Sequence, residues 1–100
     1  TAYAGRFGSD AEGQFGLSSL KDEGVDIELA EVVPDARNQI AFIVIDARSG
    51  ERTIIWDRDD RLAYSAAGAP VKISSLGRVL HIDAHDPPAC ARLAQTARTT

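Results

Sequence analysis

The chain has one cysteine, Cys90, and so cannot close an internal disulfide. Nothing points to an oxidising compartment, and the expectation is a cytoplasmic protein. No apolar run approaches the roughly 18 residues that a membrane span needs, and no signal-peptide pattern opens the chain. It starts Thr-Ala-Tyr and ends ARLAQTARTT, which suggests a piece of something longer. Positive charge is scarce: 11 Lys and Arg against 15 Asp and Glu leave a net charge of −4. That balance argues against nucleic acid as a partner, because such affinity rests on neutralising phosphates. Small anions need only a local cluster of donors and stay open. No Gly-Lys-Ser/Thr of a nucleotide P-loop, no Gly-x-Ser-x-Gly elbow and no Cys-His-Asn grouping occurs.

What is present is one domain's worth of residues, with 44% apolar and 26% charged, ordinary for a globular protein. AYAGRF, residues 2–7, reads as a strand entering a turn. Ser9 with Glu12 fits a capping box, and Asp10 then sits in the first turn of a helix. That helix runs to Glu23, with Ala11, Phe15 and Leu20 as its buried stripe and Gly24 as its left-handed stop. VDIELAEVV (25–33) has strand propensity and ends at Pro34-Asp35. NQIAFIVID (38–46) and RTIIWD (52–57) read as two arms of a hairpin. Residues 58–70 allow at most one helical turn, near Arg61 to Ser65. GRVLHIDA (77–84) reads as a further strand. Pro87 and Pro88 can open a last helix, packed through Cys90, Leu93, Ala94 and Ala97. The order predicts an α/β protein with a β-rich middle.

Four groups of residues could carry chemistry. The glycines of GRFGSDAEGQFG stand at a helix start, where backbone amides can hold phosphate. Ser9 and Asp10 compete for those amides, so a structural strand-turn-helix is the other reading. His81, Asp83 and His85 alternate, and on a strand they would share one face, a spacing that a metal could use. The plain alternative is a strand becoming polar as it leaves the core. Arg52, Arg58 and Arg61 can bind a carboxylate or phosphate, or can pair with Asp57, Asp59 and Asp60 on a solvated face. Trp56 offers a stacking surface or ordinary hairpin packing. Cys90 near a helix start is either a thiol of lowered pKa or a structural side chain.

GRFGSDAEGQFGLSSLKDEGVD resembles the ribokinase-like sugar kinases, the PfkB carbohydrate kinase family. A strand there ends in Gly-x-x-Gly-x-Asp-x-x-Gly, and the following helix closes with Leu-x-x-x-Gly-Val-Asp. The matching positions are Gly5, Gly8, Asp10, Gly13, Leu20, Gly24, Val25 and Asp26. NQIAFIVIDARSGERTIIWDRD is similar to the family's paired lid strands, with the turn at Gly50, Glu51, Arg52 and Thr53. GRVLHIDAHDPPACARLAQTAR resembles the strand and helix that resume the core. The similarity runs in the family's order over nearly the whole chain.

The resemblance implies a segment of a ribokinase-like fold, part of an α/β core sheet with helices and a small β lid. Residues 1–30 would start the core, 31–60 form the lid, and 77–100 resume the core. It implies transfer of the γ-phosphate of ATP, with Mg2+, to a hydroxyl of a sugar or sugar acid. Fructose, ribose, a ketodeoxy acid and a nucleoside all remain open as acceptors. The family's Gly-x-Gly-Asp anion hole and base, its upstream Gly-Gly sugar segment and its adenine pocket are absent from these residues. Phosphoryl transfer needs charge stabilisation and a positioned base together, so the segment alone is expected to be inactive. Its share of the sugar site would be Gln39, Phe42 and Arg58 from the lid, with Asp83 and His85 at a strand's end. Asp10 reads as architectural. Two other functions stay open: a binding or homodimerisation module using the lid strands, and a small metal-dependent hydrolase built on His81, Asp83 and His85.

Overall fold

In the computed structural model, which describes residues 1–100, two short strands lie parallel: β1 (Gly5–Gly8) and β2 (Ala30–Val33). The crossover between them is helix α1 (Ala11–Asp22), as a parallel pair requires. The register runs from Gly5 opposite Ala30 to Gly8 opposite Val33. A bridge between Ala2 and Asp26 extends the pairing, with Tyr3 N donating to Asp26 O at 2.9 Å. The strand expected over 25–33 is therefore interrupted. The Asp26 carboxylate accepts the Glu28 amide at 2.9 Å and turns the chain there.

The start of α1 differs from the capping box expected at Ser9 and Glu12. Asp10 is the N-cap, with φ −76° and ψ 179°, and its Oδ1 accepts the Gly13 amide at 3.0 Å. Ser9 is occupied elsewhere: its Oγ accepts the Asp35 amide at 2.9 Å. The buried stripe also differs, since Phe15 is 75% exposed and Gly13 is the buried residue of the helix. Gly13 faces the Gly8 backbone so closely that no side chain fits between them. At the other end Gly24 takes φ +77°, the left-handed stop expected from the sequence.

Strands β3 (Ile40–Ile45) and β4 (Arg52–Asp57) form an antiparallel ribbon, with Ile40 opposite Asp57 and Ile45 opposite Arg52. The Asp46 carboxylate accepts the Arg48 and Ser49 amides at 2.8 and 3.2 Å and shapes the tip. Every residue of both strands is exposed, so this ribbon is covered on neither face.

Beyond the ribbon come two 3-10 turns, Asp60–Leu62 and Val71–Ser75, and helix α2 (Pro87–Arg98). The second turn was not foreseen. It packs under α2, where Ser74 Oγ donates to Leu93 O at 3.1 Å. Arg92 reaches Ala66 O at 2.7 Å from the same helix. Leu62, Ala69 and Ala89 are buried here, and no large side chain is wholly enclosed. The strand expected over 77–84 is absent: residues 77–84 form no strand, and no backbone–backbone hydrogen bond reaches them. Its strand-like composition supplies propensity, but a strand also needs a ladder, and β1 pairs only with β2.

Candidate functional site

A cleft of about 950 Å³ opens between the N-terminal segment, the base of the β3–β4 ribbon and the chain leading into α2. Tyr3 and Arg6 line one side, Gln39 and Arg58 the ribbon's base, and Asp83 and His85 the side before α2. Four of the five residues expected at a sugar site thus share one cleft. Phe42 does not line it: this side chain stands two residues up the ribbon, opposite Ile55 and 67% exposed.

Arg58 is the best-held of the four. Its Nη1 and Nη2 donate to the two carboxylate oxygens of Asp86 at 2.9 and 2.7 Å, a parallel two-bond pairing. Both side chains are mostly buried. Asp86 Oδ2 also accepts the Tyr64 amide at 3.0 Å. The hydrogen bonds from Arg58, and then the Tyr64 amide, hold the Asp86 carboxyl below the usual carboxylate range against the opposing effect of burial. Asp86 in return raises the Arg58 pKa. Sequence reasoning missed Asp86; its position just before Pro87-Pro88, at the cap of α2, was the available signal.

A second cluster sits across the cleft. Arg6 pairs with Glu31 at 2.9 Å, donates to Ala63 O, and lays its guanidinium 4.1 Å from the Tyr64 ring centre. The Tyr64 hydroxyl is buried without a partner. Burial first, and the nearby Glu31 charge second, push this phenol up to about 12. Tyr3 is raised as well, by burial and by Asp83. Tyr3, Arg6 and Tyr64 carried no motif, and only the fold brings them together.

The side before α2 is polar but makes no metal centre. His85 Nδ1 lies 3.8 Å from Asp83 Oδ2, and no group of three or more His, Cys, Asp or Glu side chains converges. The hydrolase reading needed His81, Asp83 and His85 on one face of a strand, and that strand does not form. His85 instead meets Trp56 edge-on at 6.2 Å, tying the ribbon to this side. Cys90 Sγ donates to His85 O at 2.8 Å, and burial with the Asp83 and Asp86 charges raises its pKa. Cys90 is a thiol of structural type, not an activated one.

The residues of this chain do not fit a nucleotide with its metal. The Gly13 amide at the start of α1 is taken by Asp10, whose charge would repel an incoming phosphate, and no carboxylates converge for Mg2+. Arg52 lies on β4, away from the cleft, and Arg61 is engaged by Asp59 at 2.8 Å.

No curated protein matches the chain. Among solved structures, an Agrobacterium tumefaciens protein described as a ribokinase is 28% identical and superposes with a TM-score of 0.79. The match covers 98% of this chain and 32% of that one. Fructokinase from Xylella fastidiosa is 23% identical with a TM-score of 0.75, over 98% of this chain and 32% of its own. An E. coli protein described as ribokinase II, solved with ATP and Mg2+, is 21% identical with a TM-score of 0.67, over 98% and 33%. The chain therefore spans about a third of the length of these structures. It is an α/β segment of the ribokinase-like fold. The family model described as pfkB family carbohydrate kinase matches residues 1–100, and the chain belongs to that family.

Proposed function

We propose that the protein containing these residues transfers the γ-phosphate of ATP, with Mg2+, to a hydroxyl group of a sugar, and does so in the cytoplasm. In this reading the β3–β4 ribbon within residues 31–60 is the lid, between core segments 1–30 and 77–100, with residues 31–33 staying in the core as part of β2, and the chain supplies one wall of the sugar site. One observation carries the reading: Gln39 and Arg58, at the base of the exposed ribbon, line the same cleft as Asp83 and His85. A ribbon rooted at a cleft's rim can fold over a bound sugar and exclude water, which favours transfer to a hydroxyl over hydrolysis. Gln39 can donate to and accept from sugar hydroxyls. Asp83 can accept from one, and Phe42 would reach the sugar only when the ribbon closes. The nucleotide and the catalytic base belong to other segments of the protein, so the 100 residues alone are inactive. An assay of ATP-dependent sugar phosphate formation tests both parts. The protein should phosphorylate at least one sugar and the isolated chain none; transfer to no hydroxyl compound by the protein overturns the reading.

The ribbon supports a second role beside the first. Ile43, Ile45, Ile54, Ile55 and Trp56 are all exposed, and both ribbon edges are unpaired. We infer that the ribbon also pairs with that of a second copy, since exposed apolar strands of this length invite pairing. Sedimentation of the protein should show a dimer that Ile54→Glu dissociates. A monomer at all concentrations rejects this role.

A further inference from the structure

Two guanidinium groups line the cleft, and both are already engaged within the chain. Arg6 is held by Glu31 and stands over the Tyr64 ring. Arg58 presents its two parallel donors to the two oxygens of Asp86, the same geometry that a substrate carboxylate or phosphate would need. Asp86 does not yield that place readily. The Tyr64 amide holds Oδ2, and the residue sits in the left-handed region at φ 51°, fixed by the turn into α2. Asp83 and Asp26 also line the cleft. An anionic group entering beside Arg58 would have to displace one carboxylate and approach the others, and like charges brought side by side are penalised. An uncharged hydroxyl meets no such barrier: Asp83 Oδ1 accepts the His85 amide at 3.0 Å, and its Oδ2 and the Gln39 side chain can bond to the hydroxyl.

We propose that the cleft takes an uncharged sugar, and that Asp86, by filling the Arg58 fork, is the specificity-determining residue that rejects sugar acids and sugar phosphates. This rests on the sugar kinase reading above and narrows its substrate class. Asp86→Asn keeps the shape and an acceptor for Tyr64 N but removes the charge, which leaves Arg58 uncompensated and ready for an anion.

The test is steady-state ATP-dependent phosphorylation by the whole protein, with fructose and ribose as neutral acceptors and ketodeoxygluconate as the acid. In the wild type the better neutral sugar should exceed the acid by about a hundredfold in kcat/KM, and Asp86→Asn should shrink that ratio by about tenfold. The shift should lie mainly in the KM of the acid. Asp86→Glu, which keeps the charge, should keep the neutral preference. A wild type that prefers the acid, or a folded Asp86→Asn with an unchanged ratio, overturns the proposal. If Asp86→Asn does not fold, gluconate decides on the wild type: inhibition of neutral-sugar turnover near the sugar's own KM overturns it, and lack of inhibition supports it. Turnover of the acid alone rejects this inference and leaves the kinase standing, whereas turnover of neither class rejects both.

Discussion

The Asp10 carboxylate holds the Asn38 amide at 2.9 Å through Oδ2 while its Oδ1 caps α1 at Gly13. Asn38 answers with its own Oδ1, which accepts the Gly8 amide at 3.0 Å. Ser9 N donates to Ala36 O at 3.0 Å beside them. The root of the β3–β4 ribbon is thereby fastened to the turn between β1 and α1, and Gln39 is placed at the cleft by that fastening. The residue is an anchor for the ribbon as well as a helix cap.

Asp10→Ala removes the cap and the ribbon anchor together. It should cost about 2–3 kcal/mol in urea denaturation, and Asp10→Asn, which keeps an acceptor, about 1 kcal/mol. A loss below about 0.5 kcal/mol for Asp10→Ala would mean that neither bond contributes to stability.

The approach of α1 to β1 makes a second prediction. A Cβ added at Gly13 would stand 1.9 Å from Gly8 O and 2.7 Å from Gly8 C, both backbone atoms that cannot swing away. Gly13→Ala should therefore cost about 3 kcal/mol, the upper range for overpacking, even though alanine is the better helix former. Phe15, two residues on and 75% exposed, should tolerate serine within about 0.5 kcal/mol. Thermal unfolding of the two variants side by side reads the contrast directly; equal losses would place Phe15 in a core.

What the sequence made legible was governed by local chemistry. Gly24 as a stop, the two ribbon strands, and α2 opening on Pro87-Pro88 all follow from conformational limits of single residues or short periodic runs. The family resemblance rested on the same turn residues. The misreadings share one cause, competition from distant partners. Ser9 could cap, but its hydroxyl accepts the Asp35 amide in the fold, and Asp10 takes the helix instead. Residues 77–84 have strand propensity without a ladder to join. The cleft was half legible: Gln39, Arg58, Asp83 and His85 do meet there. Asp86, Tyr64 and Arg6 did not show, because an ion pair 28 residues apart in sequence leaves no periodic mark.

Acid should weaken the fold through its hydrogen-bonded carboxylates: Asp46, held low by the Arg48 and Ser49 amides, and the two that arginines hold. Asp86 is held below its ordinary range by Arg58, and Asp59 well below it by Arg61 and by the Arg61 and Arg37 amides. A folded-state pKa below the unfolded one gives stability that is present above the ordinary carboxylate range and lost as pH falls through the folded value. The thermal midpoint should accordingly hold from neutral pH down to about pH 5 and then fall. Asp86→Asn should be less stable at neutral pH by about 2 kcal/mol, with a shallower decline in acid. An acid limb as steep as that of the wild type would show that Asp86 is not a source of it.

At alkaline pH the sign reverses, and Tyr64 sets the window. Its phenol, pushed up to about 12 by burial and the Glu31 charge, is held neutral in the fold, while in the unfolded chain it titrates near the ordinary tyrosine value of about 10. The stability linked to this group is fully present below pH 10 and is lost as pH rises through the folded value. Phenolate absorbance should therefore appear late on titration of the folded protein, and Tyr3, also raised, should follow the same course. The Tyr64 hydroxyl has no hydrogen-bond partner, so Tyr64→Phe removes a buried unpaired group and keeps the ring under Arg6. The variant should match or exceed wild-type stability at neutral pH, within about 1 kcal/mol, because an unmet buried hydroxyl is a cost and not a contribution. A drop larger than that at neutral pH would mean that the hydroxyl bonds to a partner in solution.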